Sequence, residues 1–306
     1  MQTARYIIKR VLLAIISLFA IITITFFLMN LMPGDPFMSE KASEESRAIL
    51  IAKYGLDQPV YIQYIRYLKN LFHGDMGTSY VLQKGRAVTT IITESFSVSL
   101  SLGARALLLA IVCGITLGCI SGLCKDRLPD SIIRVISSLG ISMPGYVVAS
   151  VLMILLAVNL GVLPVTYSKP GGWIMPMITL AIYPTSYLTR LTRASILEVM
   201  NQDYLLTERA KGMSEFVVVF VHALKNSLIP VITYLGPLTA SILTGGFVAE
   251  SVFNVPGLGR YFVSSISSRD YTMIMGVTIF YSALIVIMNL VCDILYKIVD
   301  PRIKLD

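Results

Sequence analysis

Charged residues are scarce in this sequence: Asp, Glu, Lys and Arg make up 14% of its 306 residues. A soluble globular domain carries about 25%. The deficit is uneven, because long apolar runs alternate with short polar stretches, and this pattern is typical of a polytopic membrane protein. It excludes a soluble enzyme, a disordered chain and a nucleic-acid-binding protein, even though the formal net charge is +7.

Residues and motifs for catalysis or metal binding are also few. The only histidines, His73 and His222, are predicted to lie on opposite sides of the membrane, so they cannot form a metal pair. The four cysteines lie in or beside apolar segments and form no CxxC pair, which argues against a disulfide framework or a zinc site. No GxxxxGK(S/T), GxSxG or HExxH motif occurs. We therefore predict a non-catalytic chain that holds no metal and does not bind ATP through a P-loop.

Six apolar segments are long enough, or nearly so, to cross a membrane, which takes about 20 residues. They cover residues 11–32, 99–124, 133–160, 173–188, 228–249 and 273–298. The first is predicted to be a retained helix, because it is too long for a signal-peptide core and no cleavage site precedes Pro33. The fold class is thus an all-α polytopic membrane protein with six transmembrane helices.

Basic residues predict the orientation of these spans. With a cytoplasmic N-terminus, the inner segments hold 14 lysine and arginine residues against 8 acids. The short outer segments hold only 3 basic residues. The long outer loop is discounted, because long loops cross the membrane largely regardless of charge. Both termini are therefore predicted to be cytoplasmic, in a multi-pass protein of the plasma membrane.

Three regions follow from this topology. Residues 1–32 form the cytoplasmic N-terminus and first transmembrane helix, and residues 33–98 an extracellular insertion. The insertion shows helical periodicity over 44–54 and 60–72, so a small helical subdomain is predicted there. Residues 99–306 form a five-helix core that includes a cytoplasmic loop, 190–225, where two short helices are expected to meet at Gly212.

Two ionisable residues fall within the spans. Asp293 is either part of a proton or ion relay or a packing carboxylate paired with Lys297 at i+4. Arg105 either extends to the outer surface or lines a pathway.

Glycines mark two spans. Gly114, Gly118 and Gly122 form a stripe that permits close helix approach or a hinge. In the fifth span, Thr244, Gly245 and Gly246 either border a translocation path or belong to a kink accommodated by neighbouring helices.

The loop 190–225 carries the strongest functional pattern. A short charged helix between two spans can dock on a soluble partner, or it can be a solvated surface. The segment reads Asp203-Tyr204-x3-Glu208-Arg209-Ala210-Lys211-Gly212, followed by His222-Ala223-Leu224-Lys225-Asn226 and Ile229-Pro230. It resembles the EAA loop of ABC-importer permeases, and more narrowly the peptide/nickel permease family in its B-type (oligopeptide/dipeptide) branch.

The resemblance extends over essentially the whole chain. Further motifs of the branch are Pro33-Gly34-Asp35-Pro36, Tyr54-Gly55-Leu56-Asp57-x-Pro59, Gly74-Asp75-x-Gly77-x-Ser79, Val255-Pro256-Gly257-Leu258-Gly259-Arg260, Arg269-Asp270-Tyr271 and Asp300-Pro301-Arg302. The chain departs from the general loop at two places: Leu206-Thr207-Glu208 stands where the family has Glu-Ala-Ala, and Lys225 stands where it has proline. The role of Glu208 is therefore open.

The resemblance implies the fold of a type I ABC importer permease. Its partners would be a second homologous permease, two ABC ATPase subunits and an extracellular substrate-binding protein, with peptide as substrate and membrane lipid around it. The chain itself would bind no cofactor, since ATP and Mg²⁺ belong to the ATPase subunits. It would form half of a pathway for oligopeptide uptake, coupled to the ATPases through the 190–225 loop.

Other functions remain open at this point. A dipeptide or nickel importer permease of the same family is one alternative, although the spans contain no histidine to bind nickel. A secondary transporter or channel would predict inverted repeats and paired charges in the spans, and neither is visible. A membrane-bound enzyme is disfavoured, because catalytic motifs are missing.

Overall fold

The computed structural model describes residues 2–31, 37 and 44–299. Within these ranges the regular structure is helical, and a single isolated bridge pairs Thr78 with Ala87. Two stretches, Met153–Asn159 and Val218–Ala223, are π-helical. The α-helices are α1 (Gln2–Leu31), α2 (Glu44–Tyr54), α3 (Val60–Phe72), α4 (Val88–Leu123), α5 (Leu128–Ser142), α6 (Gly145–Leu152), α7 (Ile174–Met200), α8 (Asp203–Ala210), α9 (Glu215–Val217), α10 (Leu224–Ser227), α11 (Ile229–Gly245), α12 (Phe247–Val252), α13 (Leu258–Ser268) and α14 (Tyr271–Val299).

The helices form two compact units. The first contains α1 to α3, the start of α4, α13 and most of α14, and the second contains the rest of α4 through α12. In the first unit, Phe26 of α1 packs with Met275 of α14 and with an apolar face of α3. Burial of this face against two apolar helices explains why α3 forms where the helical periodicity predicts it.

The packed face of α3 differs from the face that its periodicity suggests. Tyr61 and Ile65 are exposed, at 63% and 62%. The side chains that pack are instead Tyr64, Tyr67, Leu68 and Leu71. The predicted set, Tyr61, Tyr64, Ile65 and Leu68, and the packed set both recur at i, i+3, i+4 and i+7, so the pattern alone predicts a helix without deciding which side is buried.

In the second unit α7 packs against α5, α6, α10, α11 and α12. It buries an unusual number of hydroxyl side chains, namely Thr179, Ser186, Thr189, Thr192 and Ser195. Small polar residues let neighbouring helices approach closely inside a membrane protein. These residues also dilute the apolar character of α7.

The glycine stripe of α4 packs against α7. A Cβ atom on Gly118 would lie 2.5 Å from the Cβ of Thr192 and 2.8 Å from the carbonyl oxygen of Thr189. Gly114 and Gly122 face Leu188 and Ile196 in the same way. These contacts confirm the interpretation of the stripe as a packing surface.

The predicted third span is not one straight helix. Helices α5 and α6 are separated at Met143 and Pro144 and differ in direction by 110°. A residue that precedes proline avoids the helical region, and Met143 is extended with φ −80° and ψ 125°. The predicted span over 133–160 is therefore built from two helices that meet at a break.

The predicted count of six spans is not confirmed. Within the described part of the chain, four helices are long and apolar enough to cross a membrane, or five if the bent α5–α6 pair counts as one. Helix α7, predicted as the fourth span over 173–188, is not among them and continues to Met200. Helix α4 starts at Val88, before the predicted start at 99.

Some sequence features lie outside what the structure describes. The motifs Pro33–Pro36 and Asp300–Arg302 are in segments that the described ranges leave out. Asp293 and Lys297 belong to α14, but their side chains are outside the described part, so their predicted pairing stays a prediction.

Candidate functional site

The segment between α7 and α11 has the form that the sequence predicts around Gly212. Helix α8 ends at Ala210, and α9 begins at Glu215. Gly212 has φ +81°, a left-handed conformation that glycine adopts without steric cost. The predicted loop 190–225 nevertheless starts inside a helix, because α7 extends to Met200.

Helix α8 packs against the segment that follows it and forms a hydrogen bond with it. Leu205 is fully buried against Val218 and Ala223. The Tyr204 hydroxyl accepts a hydrogen bond from Asn226 Nδ2 at 2.8 Å and lies 3.5 Å from the carbonyl oxygen of His222. An apolar anchor and a polar one on adjacent residues hold α8 against the residues leading to α11.

Three charged residues of the predicted coupling set make contacts within the segment. Arg209 binds Glu215 with two hydrogen bonds, of 3.1 Å from Nε and 2.7 Å from Nη2. These bonds raise the pKa of Arg209 above its ordinary value. Lys211 contacts Glu208 Oε1 at 3.3 Å, while Glu208 Oε2 is buried and has no hydrogen-bond partner among the residues that the structure describes.

The rest of the segment is open to a partner. Asp203 and Ala210 are exposed, and among the described residues beyond its chain neighbours nothing lies within 4 Å of where a Cβ on Gly212 would be. Leu206 is 60% exposed and Phe216 is 68% exposed. Both charged and apolar side chains of this segment are therefore accessible to a partner.

The four predicted path residues occupy separate local environments. The Arg105 guanidinium lies over the Trp173 ring, 4.7 Å from its centroid, which is a cation–π contact. Thr244 Oγ1 donates to the carbonyl oxygen of Ala240 at 2.8 Å within α11. Gly245 ends α11, and Gly246 separates it from α12. Within the described residues, no hydrogen bond or ion pair joins Arg105 to Thr244.

A buried carboxylate that sequence reasoning missed joins three helices of the second unit. Asp130 of α5 has no exposed surface and accepts hydrogen bonds from Arg193 Nε at 2.7 Å and Nη2 at 2.8 Å. It also accepts from Ser121 Oγ at 2.6 Å and from the Asp126 backbone N–H at 3.0 Å. The only sequence signal was an acid in a basic cytoplasmic loop, and nothing local identified Arg193 as its partner.

Asp270 is a second buried carboxylate, in the first unit. It accepts hydrogen bonds from the backbone N–H groups of Tyr80, Val81 and Leu82 at 3.0–3.1 Å, and from the hydroxyl of Ser79. It also accepts from the N–H of Met273 at 3.3 Å, so it caps α14. Burial raises the pKa of Tyr80 to about 12, with the charge of Asp270 contributing.

Within the described ranges, no group of three or more His, Cys, Asp or Glu side chains is arranged to hold a metal ion.

Two family models match the chain. Residues 114–305 match the family described as binding-protein-dependent transport system inner membrane component. Residues 3–103 match the N-terminal model of the same membrane component.

Curated relatives match nearly the whole chain. The dipeptide transport system permease protein DppB of Bacillus subtilis is 43% identical over 304 residues, covering 99% of this chain and 98% of the relative. The oligopeptide transport system permease protein OppB of Haemophilus influenzae is 41% identical over 309 residues, covering 98% and 99%.

Solved structures share the fold. An inward-facing structure of the MetNI methionine ABC transporter matches with a TM-score of 0.58 at 14% identity, covering 69% of this chain and 97% of that one. A crystal structure of an amino acid ABC transporter matches with a TM-score of 0.57 at 14% identity, covering 68% and 94%. At this identity the likeness establishes the fold alone. The family models and the full-length relatives show that this chain belongs to the family of binding-protein-dependent transport system inner membrane components and is a multi-pass membrane permease.

Proposed function

We propose that this permease imports short peptides, with oligopeptides as the main cargo and dipeptides as the alternative. The observation that carries the proposal is the identity of 41–43% over almost the full chain to relatives named for dipeptide and oligopeptide transport. We further propose that the chain forms half of the pathway, with a second homologous permease as the other half. Two ABC ATPase subunits and an extracellular binding protein would complete the importer.

We propose that α8 is the element that couples the chain to an ATPase subunit. The coupling residues are Asp203, Tyr204, Glu208, Arg209, Ala210, Lys211 and Gly212. The anchors Leu205 and Tyr204 support this role, because a force on α8 reaches the residues leading to α11 through the buried Leu205 contact and the Tyr204 hydrogen bond. Helix α8 also follows α7 after only two residues, so both neighbouring helices would move with it.

The chemistry of ATP hydrolysis is assigned to the partner subunits. In this proposal the chain binds no cofactor and performs no catalysis, and ATP and Mg²⁺ bind to the ATPases. Thr244, Gly245 and Gly246 are proposed to border the pathway, because the interruption of the helix at Gly246 suits a segment that faces a cavity. Arg105 is proposed as a further lining residue.

Both termini are proposed to be cytoplasmic, as the distribution of basic residues indicates. Two exposed positions test this orientation in intact cells: Lys69 on α3 and Gln202 just before α8. In a background without the native cysteines, Lys69→Cys is expected to react with a membrane-impermeant maleimide and Gln202→Cys only after permeabilisation. The reverse pattern would invert the topology.

Peptide import and coupling are tested together in proteoliposomes that hold the complete importer with ATP. Uptake of labelled tetra-alanine is expected, with competition by a pentapeptide, weaker competition by dialanine and none by nickel. The substitution Leu206→Arg places a charge on an exposed leucine of α8 and is expected to lower uptake at least about tenfold, a loss equivalent to ~1.4 kcal/mol of coupling. Membrane insertion should be unchanged, because this side chain is 60% exposed.

Asn201→Arg is the matched control, since it adds the same charge at an exposed position just outside α8. Normal uptake by Leu206→Arg would contradict the coupling assignment. Absence of peptide uptake by the unmodified importer would contradict the cargo assignment.

A further inference from the structure

A groove lined by arginine and tyrosine lies between α5 and α7 in the second unit, with a volume of about 580 Å³. Its polar lining residues are Arg134, Ser138, Tyr183, Tyr187, Arg190 and Arg193. On α7, positions 183, 187 and 190 recur at i, i+4 and i+7, so they share one face of the helix. Positions 134 and 138 share a face of α5 for the same reason.

The groove carries positive charge that the protein does not neutralise. Arg193 is paired with Asp130 through two hydrogen bonds. Arg134 lies 3.6 Å from the same carboxylate, and its side chain is 48% exposed. Arg190 is exposed and makes no ion pair or hydrogen bond within the part of the chain that the structure describes. Arg193 and Arg134 thus share one carboxylate while Arg190 faces the groove unpaired among the described residues, and the groove is suited to an anion with several acceptor oxygens.

Two tyrosine rings of α7 line one side of the groove. Tyr187 stacks on Tyr234 of α11 with ring centroids 4.3 Å apart, and Tyr183 lies 6.5 Å from Tyr187. Tyr183 is 48% exposed. Tyrosine is enriched where a membrane protein meets the polar headgroup region, because its ring is apolar and its hydroxyl is polar.

The surroundings of the groove indicate where the anion comes from. The outer face of α5 exposes Ile132, Val135, Ile136 and Leu139 at 49–60%. In a membrane protein such a face meets lipid chains or another apolar helix. Arg134 and Ser138 also line the adjoining groove, together with Val135 and Leu139. The anion site is therefore continuous with an apolar surface, which fits a molecule with a charged head and an apolar tail.

We propose that this groove binds the headgroup of an anionic phospholipid of the cytoplasmic leaflet, with Arg190 and Arg134 contacting its phosphate. The predicted span limits, residues 133 and 188, place both arginines at the membrane–water boundary. The proposed orientation places them on the cytoplasmic side, where anionic lipids meet basic pockets between helices. The inference goes beyond peptide transport and depends only on the membrane orientation.

The test uses the complete importer in nanodiscs of phosphatidylcholine with a minor fraction of phosphatidylglycerol. Native mass spectrometry is expected to detect one phosphatidylglycerol retained on the permease in preference to phosphatidylcholine. Arg190→Gln and Arg134→Gln are each expected to lower this retention about fivefold. Both side chains are exposed, so the variants should assemble normally, and size-exclusion chromatography checks this.

Arg127→Gln is the matched control, because Arg127 is exposed in the same cytoplasmic region but does not line the groove. An equal loss with Arg127→Gln would reduce the effect to diffuse charge attraction and overturn the site. Absence of selective retention in the complete importer would also overturn the proposed lipid site, because the groove would then not bind the lipid in the assembled protein. Displacement of the lipid by tetra-alanine but not by its amide would assign the groove to the cargo instead. Peptide uptake measured on the same preparation separates these failures from a failure of the transport function.

Discussion

Asp130→Ala is expected to destabilise the permease by about 3 kcal/mol. The substitution removes a fully buried carboxylate that four donor groups surround, and it leaves the Arg193 guanidinium without its counter-charge. Breaking a buried pair by removing one partner costs more than the pair contributes, because the remaining charge stays desolvated. The Arg193 side chain retains 20% exposure, so the lower end of the range applies. The measurement is equilibrium unfolding in mixed micelles.

The exposed Arg86–Glu94 pair is the matched control. Its side chains are 41% and 59% exposed, so Glu94→Ala is expected to cost less than about 1 kcal/mol. A double-mutant cycle separates the pair from other effects: Asp130→Ala with Arg193→Ala should cost clearly less than the sum of the single variants. Strict additivity would show that the two side chains do not stabilise one another.

Gly118→Ala is expected to destabilise the permease by about 2 kcal/mol, although alanine is the better helix former. In an open helix position the change would stabilise by up to about 1 kcal/mol. Here the new methyl group would lie 2.5 Å from the Cβ of Thr192 and 2.8 Å from a backbone carbonyl oxygen of α7, so the two helices must separate. Thermal unfolding of the purified complex measures the change.

Gly145→Ala provides the control for this prediction, because nothing lies within 4 Å of its Cβ position and it opens α6. Its stability should be unchanged or slightly increased. If Gly118→Ala were as stable as Gly145→Ala, the close contact between α4 and α7 would not exist. Gly114→Ala, whose Cβ would meet Leu188 at 2.6 Å, should behave like Gly118→Ala.

Much of the local structure could be predicted from the sequence. The limits of α2 and α3 agree with their periodicity, and α8 stops where Gly212 follows it. Such features depend on residues within about four positions of one another, so a linear reading captures them. The bend at Pro144 was also visible as a proline in an apolar run, but only the backbone at Met143 shows that the helix breaks there.

The candidate site was predicted only in part. The position of α8 followed from its pattern, whereas its attachment through Leu205 and the internal use of Arg209 did not. In the sequence Arg209 looks like any surface charge, whereas the structure pairs it with Glu215. The sequence does not show which apolar residues of α8 are exposed. The structure does: Leu205 is buried, and Leu206 is exposed and can contact a partner.

By itself, the sequence determined that this protein is an all-helical membrane permease, with a glycine stripe on α4. Composition, apolar run length and charge asymmetry are properties of the linear chain, and insertion into a bilayer depends on them directly. Tertiary structure alone decided that Asp130 meets Arg193, 63 residues away, and that Arg190 is left facing a groove. The reason is geometric: the rotation and offset of α4, α5 and α7 depend on close contacts such as Gly118 against Thr192, which sequence spacing does not reveal.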